Sequence, residues 1–131
     1  MIVVDTNVIA FFWMNGQYTE SAKSLFNYDS DWVVPFLWRS EFRNVLAQYI
    51  RKKLLPLEQA LEIMSEAENM FKEKEYAVKS LEVLDKISKS SLSAYDLEYV
   101  VLAETLEIKL VTMYKKIVKE FPKGAILLSD F

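Results

Sequence analysis

Apolar and polar positions in this chain switch between two periods, and the switching points mark its elements. Residues 2–4, Ile-Val-Val, read as a short buried strand, and residues 6–13 take up a helical pattern with Thr6 as the expected N-cap. Asn15-Gly16 breaks that helix, and residues 19–26 predict a second short one. Residues 32–34 suit a strand, ended by Pro35. The clearest helix follows, where Phe42, Val45, Leu46, Tyr49 and Ile50 recur at i, i+3, i+4, i+7 and i+8. Arg51, Lys52 and Lys53 close it at the end where cations complement the helix dipole. Beyond Pro56, the spacing of Ala60, Leu61, Met64, Ala67 and Phe71 marks another amphipathic helix. Residues 76–78 predict a very short strand and 81–88 a helix. A helix starting at Ser93 carries Tyr99, Leu102, Ala103 and Leu106 on one face. Residues 109–113 predict a strand, 115–121 a helix ended by Pro122, and 125–128 the last strand.

Strands alternating with helices predict an α/β fold with a parallel sheet, because parallel strands need crossover connections. The 131 residues are enough for one domain with a real core, expected over 1–131. With 52% hydrophobic residues, two glycines and three prolines, there is no disordered or linker composition. No apolar run is long enough to span a bilayer and no charged signal-peptide head precedes the first strand, so no membrane association and a cytoplasmic setting are expected.

The pattern also places three acids. Asp5 stands where the first strand ends and a helix begins, and in a parallel sheet that edge is where ligands bind. Glu41 falls in the first turn of its helix, beside Phe42 of the buried stripe. Asp96 shares a helical face with Tyr99, Val100 and Ala103, which points it inward. Each has an ordinary explanation. Asp5 and Glu41 suit the positive end of a helix dipole, Ser93-x-x-Asp96 is close to a capping box, and Arg39 and Arg43 stand ready to pair with Glu41. Taken together, three carboxylates near helix starts on one side of a sheet repel one another, and a cation is what makes such a grouping tolerable.

The absent residues narrow the chemistry. The chain has no cysteine and no histidine, which excludes thiol nucleophiles, disulfides, iron–sulfur clusters, Cys/His zinc sites and imidazole catalysis. A metal must be held by oxygen, favouring Mg²⁺ or Mn²⁺. No glycine-rich phosphate cradle is present. The net charge of −3 provides no global attraction to nucleic acid, although a local basic surface can still bind it.

At this point the residues resemble a known family, the PIN domain, and in particular its short toxin-type members called VapC. Val-Val-Asp5-Thr6-Asn7-Val resembles the family's first acidic motif, and Trp38-Arg39-Ser40-Glu41-Phe42-Arg43-Asn44-Val45-Leu46 its second. The stretch from Ser93 to Glu104, with Asp96 and Tyr99-Val100-Val101-Leu102-Ala103, is similar to the third, and Leu110-Val111-Thr112-Met113-Tyr114-Lys115-Lys116 to the fourth. Order, spacing and length agree over essentially the whole chain. The resemblance implies a three-layer α/β/α fold around a five-stranded parallel sheet. It implies a Mg²⁺- or Mn²⁺-dependent endoribonuclease that leaves a 5′-phosphate and a 3′-hydroxyl, often dimeric and silenced by a cognate antitoxin. Asp5, Glu41 and Asp96 would be the catalytic, metal-binding acids. Asn7 and Thr112 would support them.

The chain departs from the family at Tyr114, where an aspartate is usual. A phenol is neutral at pH 7 and a poor ligand for a hard dication. Two divalent ions bring about four positive charges and three carboxylates cancel about three, so a second ion would be weak or would depend on a substrate phosphate. Glu98 lies about 200° round its helix from Asp96 and is expected to point away. Arg39, Arg43, Lys115 and Lys116, with Lys119 beside them, are the expected contacts to the RNA backbone. Phe11-Phe12-Trp13 and Phe36-Leu37-Trp38 put large apolar groups near the first two acids, and an interface with a second copy or an antitoxin is expected there. The rival to a ribonuclease is a PIN-like domain that binds RNA or a protein with weakened or lost catalysis, because Tyr114 replaces the fourth acid.

Overall fold

The structure, a computed structural model, describes residues 1–131. Five parallel strands form its sheet: β1 (Ile2–Val4), β2 (Trp32–Pro35), β3 (Glu75–Tyr76), β4 (Leu110–Thr112) and β5 (Ala125–Leu127), in the order β3-β2-β1-β4-β5. Seven helices connect them: α1 (Thr6–Trp13), α2 (Thr19–Tyr28), α3 (Trp38–Arg51), α4 (Leu57–Met70), α5 (Ser80–Ile87), α6 (Ala94–Leu106) and α7 (Lys115–Glu120). The layers are α/β/α. No helix is long and apolar enough to cross a membrane.

Strand alternation divides the core in two. Ile2 and Val4 of β1, with Trp32, Val34 and Val111, face the layer of α1 to α4, where Val8, Leu25, Phe42 and Ala67 meet them. Val3, Val33, Leu110 and Ala125 face the other layer, which holds Val83, Leu97, Val101 and Ile117 of α5, α6 and α7. Both faces of β1 are thereby covered, which explains its uniformly apolar sequence.

The aromatic runs pack in large part against the core. Trp38 is fully buried and its ring lies 4.8 Å from that of Phe71. Phe12 packs edge-on against Trp32, 5.4 Å away, and beside Phe26 at 5.1 Å. Ring packing across α1, α2 and β2 covers part of that surface: Phe11, Phe12, Trp13 and Leu37 are partly buried, Trp38 is fully buried and Phe36 is exposed.

β1 lies between β2 and β4, with Val4 opposite Val111. The chain leaves β1 towards β2 and returns later to the opposite side as β4. The carboxyl ends of β1 and β4 therefore flank a topological switch point, where ligand crevices form in open α/β sheets.

Candidate metal centre

Asp5 is held at that switch point from three directions. Its backbone N–H donates to the carbonyl of Val111 at 3.0 Å, continuing the β1–β4 ladder by one residue. Its Oδ1 accepts from the N–H of Thr6 at 2.8 Å, and Oδ2 accepts from the Thr112 hydroxyl at 2.7 Å and from Asn7 Nδ2 at 3.3 Å. Asp5, not Thr6, is the N-cap of α1, since its extended backbone aims the carboxylate at the first free amide. Asn7 is fixed in turn, its Oδ1 accepting from the N–H of Met113 at 3.2 Å. Asn7 and Thr112 thus both hydrogen-bond the Asp5 carboxylate.

Glu41 arrives from the first turn of α3, on the other side of the cleft. Its Oε1 accepts from the Thr6 hydroxyl at 2.9 Å and from the Tyr99 phenol at 2.7 Å. Its Oε2 has no protein partner, and neither arginine beside it in sequence pairs with it. Asp96 opens α6. Ser93 caps that helix by accepting from the Asp96 N–H at 3.1 Å, but the Asp96 carboxylate does not return a bond and forms no ion pair. Capping therefore explains Ser93 and leaves the acid unspent.

Asp5, Glu41 and Asp96 line one cleft of about 320 Å³, together with Thr6, Asn7, Asn44, Val45 and Tyr114. Asp5 is only 7% exposed. Burial pushes its carboxyl up to about 6, the bonds from Thr112 and Thr6 oppose the rise, and the charges of Glu41 and Asp96 add to it. The Tyr114 phenol stands half-exposed on the cleft wall, its backbone N–H bonded to Thr112 Oγ1 at 3.0 Å.

The basic residues divide. Arg39 is turned away, because its guanidinium grips Glu75 through Nε at 2.6 Å and Nη2 at 2.8 Å, and Glu68 through Nη1 at 2.7 Å. Those contacts tie α3 to β3 and α4, so the RNA contact expected of Arg39 is replaced by a structural one. Glu75 is held below the usual carboxylate range by that guanidinium. Arg43 is exposed and bonds only Ser40. Lys115 is exposed and unpaired, and Lys116 donates to the Ser91 carbonyl at 3.1 Å. Glu98 is absent from the cleft wall, as its helical angle predicts, but it is not remote. Burial raises its carboxyl, and the charge of Glu41 raises it further.

The sequence model of the PIN domain family matches residues 2–119. The chain is a PIN domain. A search of curated proteins found no significant match. PIN domains are a nuclease fold, generally dependent on divalent metal, and the fold points to RNA as the class of molecule bound.

The donors of this PIN domain fit a hard dication in kind. They are all oxygen, they lie where Asp5 is desolvated, and no lysine or arginine neutralises them. They do not form a finished cage, because no three acids stand close enough together to share one ion as they lie. Tyr99 is the residue that sequence reasoning missed. It was placed on an apolar face, and its ring is indeed in the core, but its hydroxyl reaches across to Glu41 and Thr6. Its partners lie 58 and 93 positions away, so no local pattern signals the contact.

Proposed function

We propose that this PIN domain is a Mg²⁺- or Mn²⁺-dependent endoribonuclease of the VapC toxin type, hydrolysing RNA phosphodiester bonds. The observation that carries the reading is the cleft itself. Asp5, Glu41 and Asp96 line it from three helix starts, and none of the three is paired with a cation. Asp5 and Asp96 would hold the ion, with Glu41 contributing its free Oε2 directly or through water. When bound, the metal supplies an activated water and charge stabilisation at the phosphate. Thr112 and Asn7 orient the Asp5 carboxylate, and the Thr6 amide fixes its second oxygen. Arg43, Lys115 and Lys116 offer charge to the RNA backbone. Beyond the three carboxylates that would hold the ion, the cleft has no side chain suited to general-base work, which agrees with a water activated by the metal as the nucleophile.

In this reading the single domain acts in the cytoplasm as a homodimer and is silenced by a cognate antitoxin. Exposed Leu57 and Leu61 on α4, and Leu81 and Leu84 on α5, are apolar surface that such partners would cover.

A second reading has one observation in its favour. Tyr114 lines the cleft in place of a fourth acid, and no three acids are in ligating arrangement. A PIN domain so altered would bind RNA or a protein with weak or no turnover. Cleavage of RNA by purified wild type and Asp5→Ala in Mn²⁺, with and without EDTA, separates the two. Turnover that needs metal and disappears in Asp5→Ala supports the nuclease. RNA binding without turnover at any Mn²⁺ concentration supports the binding domain.

A further inference from the structure

Tyr99 belongs to α6, whose packing lies on one face of the sheet, and Glu41 belongs to α3 on the opposite face. The phenol bridges the two layers over the carboxyl edge. Tyr99 is 1% exposed, and its hydroxyl lies 2.7 Å from Glu41 Oε1 and 2.5 Å from Thr6 Oγ1. Thr6 Oγ1 is itself 2.9 Å from the same Oε1, so three oxygens form a closed triangle.

Each hydroxyl carries one proton. Facing an ionised carboxylate, the triangle therefore has two protons for three short contacts. Either both hydroxyls donate to Oε1, or one donates to the other, which then donates to Oε1. In both arrangements Oε1 is engaged by protein and Oε2 is not. A phenol keeps its proton near pH 7, so Tyr99 acts as the donor to Glu41.

We propose that Tyr99, with Thr6, is a positioning residue that fastens one oxygen of Glu41 across the layers and so presents the other as a single-oxygen ligand in the cleft. The inference rests on the metal-site reading above and assigns to Tyr99 a role that its apolar surroundings conceal. Partners that orient a metal ligand typically change metal affinity about 10- to 100-fold when removed. Tyr99 acts through Glu41 only, which sets the expectation at the low end.

The test uses Tyr99→Phe, which keeps the ring in the core and deletes the hydroxyl. Thr6→Val serves as the second variant, should Tyr99→Phe fail to fold by thermal unfolding. Two readouts are taken without reference to cleavage. One is the ¹³C signal of the Glu41 carboxyl in glutamate-labelled protein, assigned with Glu41→Gln. The other is Mn²⁺ affinity from the free-ion electron paramagnetic resonance signal. The expected result is a displaced Glu41 signal in metal-free protein and a roughly tenfold weaker Mn²⁺ affinity. An unmoved carboxyl signal refutes the hydrogen bond. A moved signal with unchanged Mn²⁺ affinity refutes the positioning role while leaving the metal site intact. Wild type that binds no Mn²⁺, in the same way as Asp5→Ala, overturns the metal-site reading and this role with it.

Discussion

The hydroxyl of Thr112 donates a 2.7 Å hydrogen bond to Oδ2 of Asp5, joining the carboxyl ends of two adjacent strands. The residues are 107 positions apart in the chain and meet only because β4 pairs beside β1. That bond, together with the Thr6 amide, holds a carboxylate in a place where burial opposes its charge. Asp5 is therefore kept charged at a cost to stability.

The pH dependence of stability follows in sign. The Asp5 carboxyl is raised from 3.8 to about 6 on folding, so between those values the native state binds more protons than the unfolded one. Stability contributed at this position is highest below pH 3.8, falls as pH rises, and is fully lost above about 6. The penalty at pH 7 is on the order of 3 kcal/mol at most. Asp5→Asn retains a good N-cap and removes the charge. Urea unfolding should find it more stable than wild type by roughly 1–3 kcal/mol at pH 7 and little different at pH 4. Equal stabilities at pH 7 would show that the burial is not costing what the surroundings of Asp5 imply.

Metal should reverse that ordering. Mn²⁺ is expected to raise the melting temperature of wild type and to leave Asp5→Asn and Asp96→Asn unmoved, because a ligand stabilises only the state that binds it. A differential scanning measurement over a Mn²⁺ series checks it. An equal rise in all three proteins would place the ion elsewhere.

Tyr114→Asp restores an acid to the cleft wall beside Asp5. Its carboxylate is expected to tighten Mn²⁺ binding by about tenfold, roughly 1.4 kcal/mol, and to raise the cleavage rate at limiting metal. Calorimetric titration of both proteins measures the difference. An unchanged affinity would mean that the phenol is not what limits the site.

Arg39→Ala should behave as a stability variant. It leaves Glu75, whose side chain is 9% exposed, with only the Trp38 indole as partner, and should cost about 1–2 kcal/mol after allowance for the half-exposed guanidinium. RNA affinity should hardly change. Arg43→Ala and Lys115→Ala should do the opposite, each weakening RNA binding and reducing the salt slope by about 0.7–1. Filter binding on a metal-free, uncleaved RNA across a salt series distinguishes the two groups.

Much of this arrangement was legible beforehand for identifiable reasons. α3 has clear periodicity, β1 is a short apolar run that stops at Asp5, and α6 is an apolar stretch opened by the Ser93 cap, so Asp5, Glu41 and Asp96 sit at boundaries that these local signals locate. β3 was expected at 76–78 and occupies Glu75–Tyr76, because its position is set by pairing with Val34 and Pro35 rather than by its own pattern. Arg39 was misread because its partners, Glu68 and Glu75, lie 29 and 36 positions away. Helical angle placed Glu98 off the cleft but carried no information about α3, whose Glu41 is close enough to raise it.

Sequence alone determined which residues carry charge, which strands and helices form, and that any metal here must be bound through oxygen. Those properties are local or compositional, and short-range periodicity and side-chain chemistry contain them. Tertiary structure alone decided which acids stay free of cations, which arginine is withdrawn to brace α3, and that the Tyr99 hydroxyl meets Glu41 across the sheet. Such contacts join residues tens of positions apart, and only the parallel crossovers and the packing of both helical layers bring them within a few ångströms.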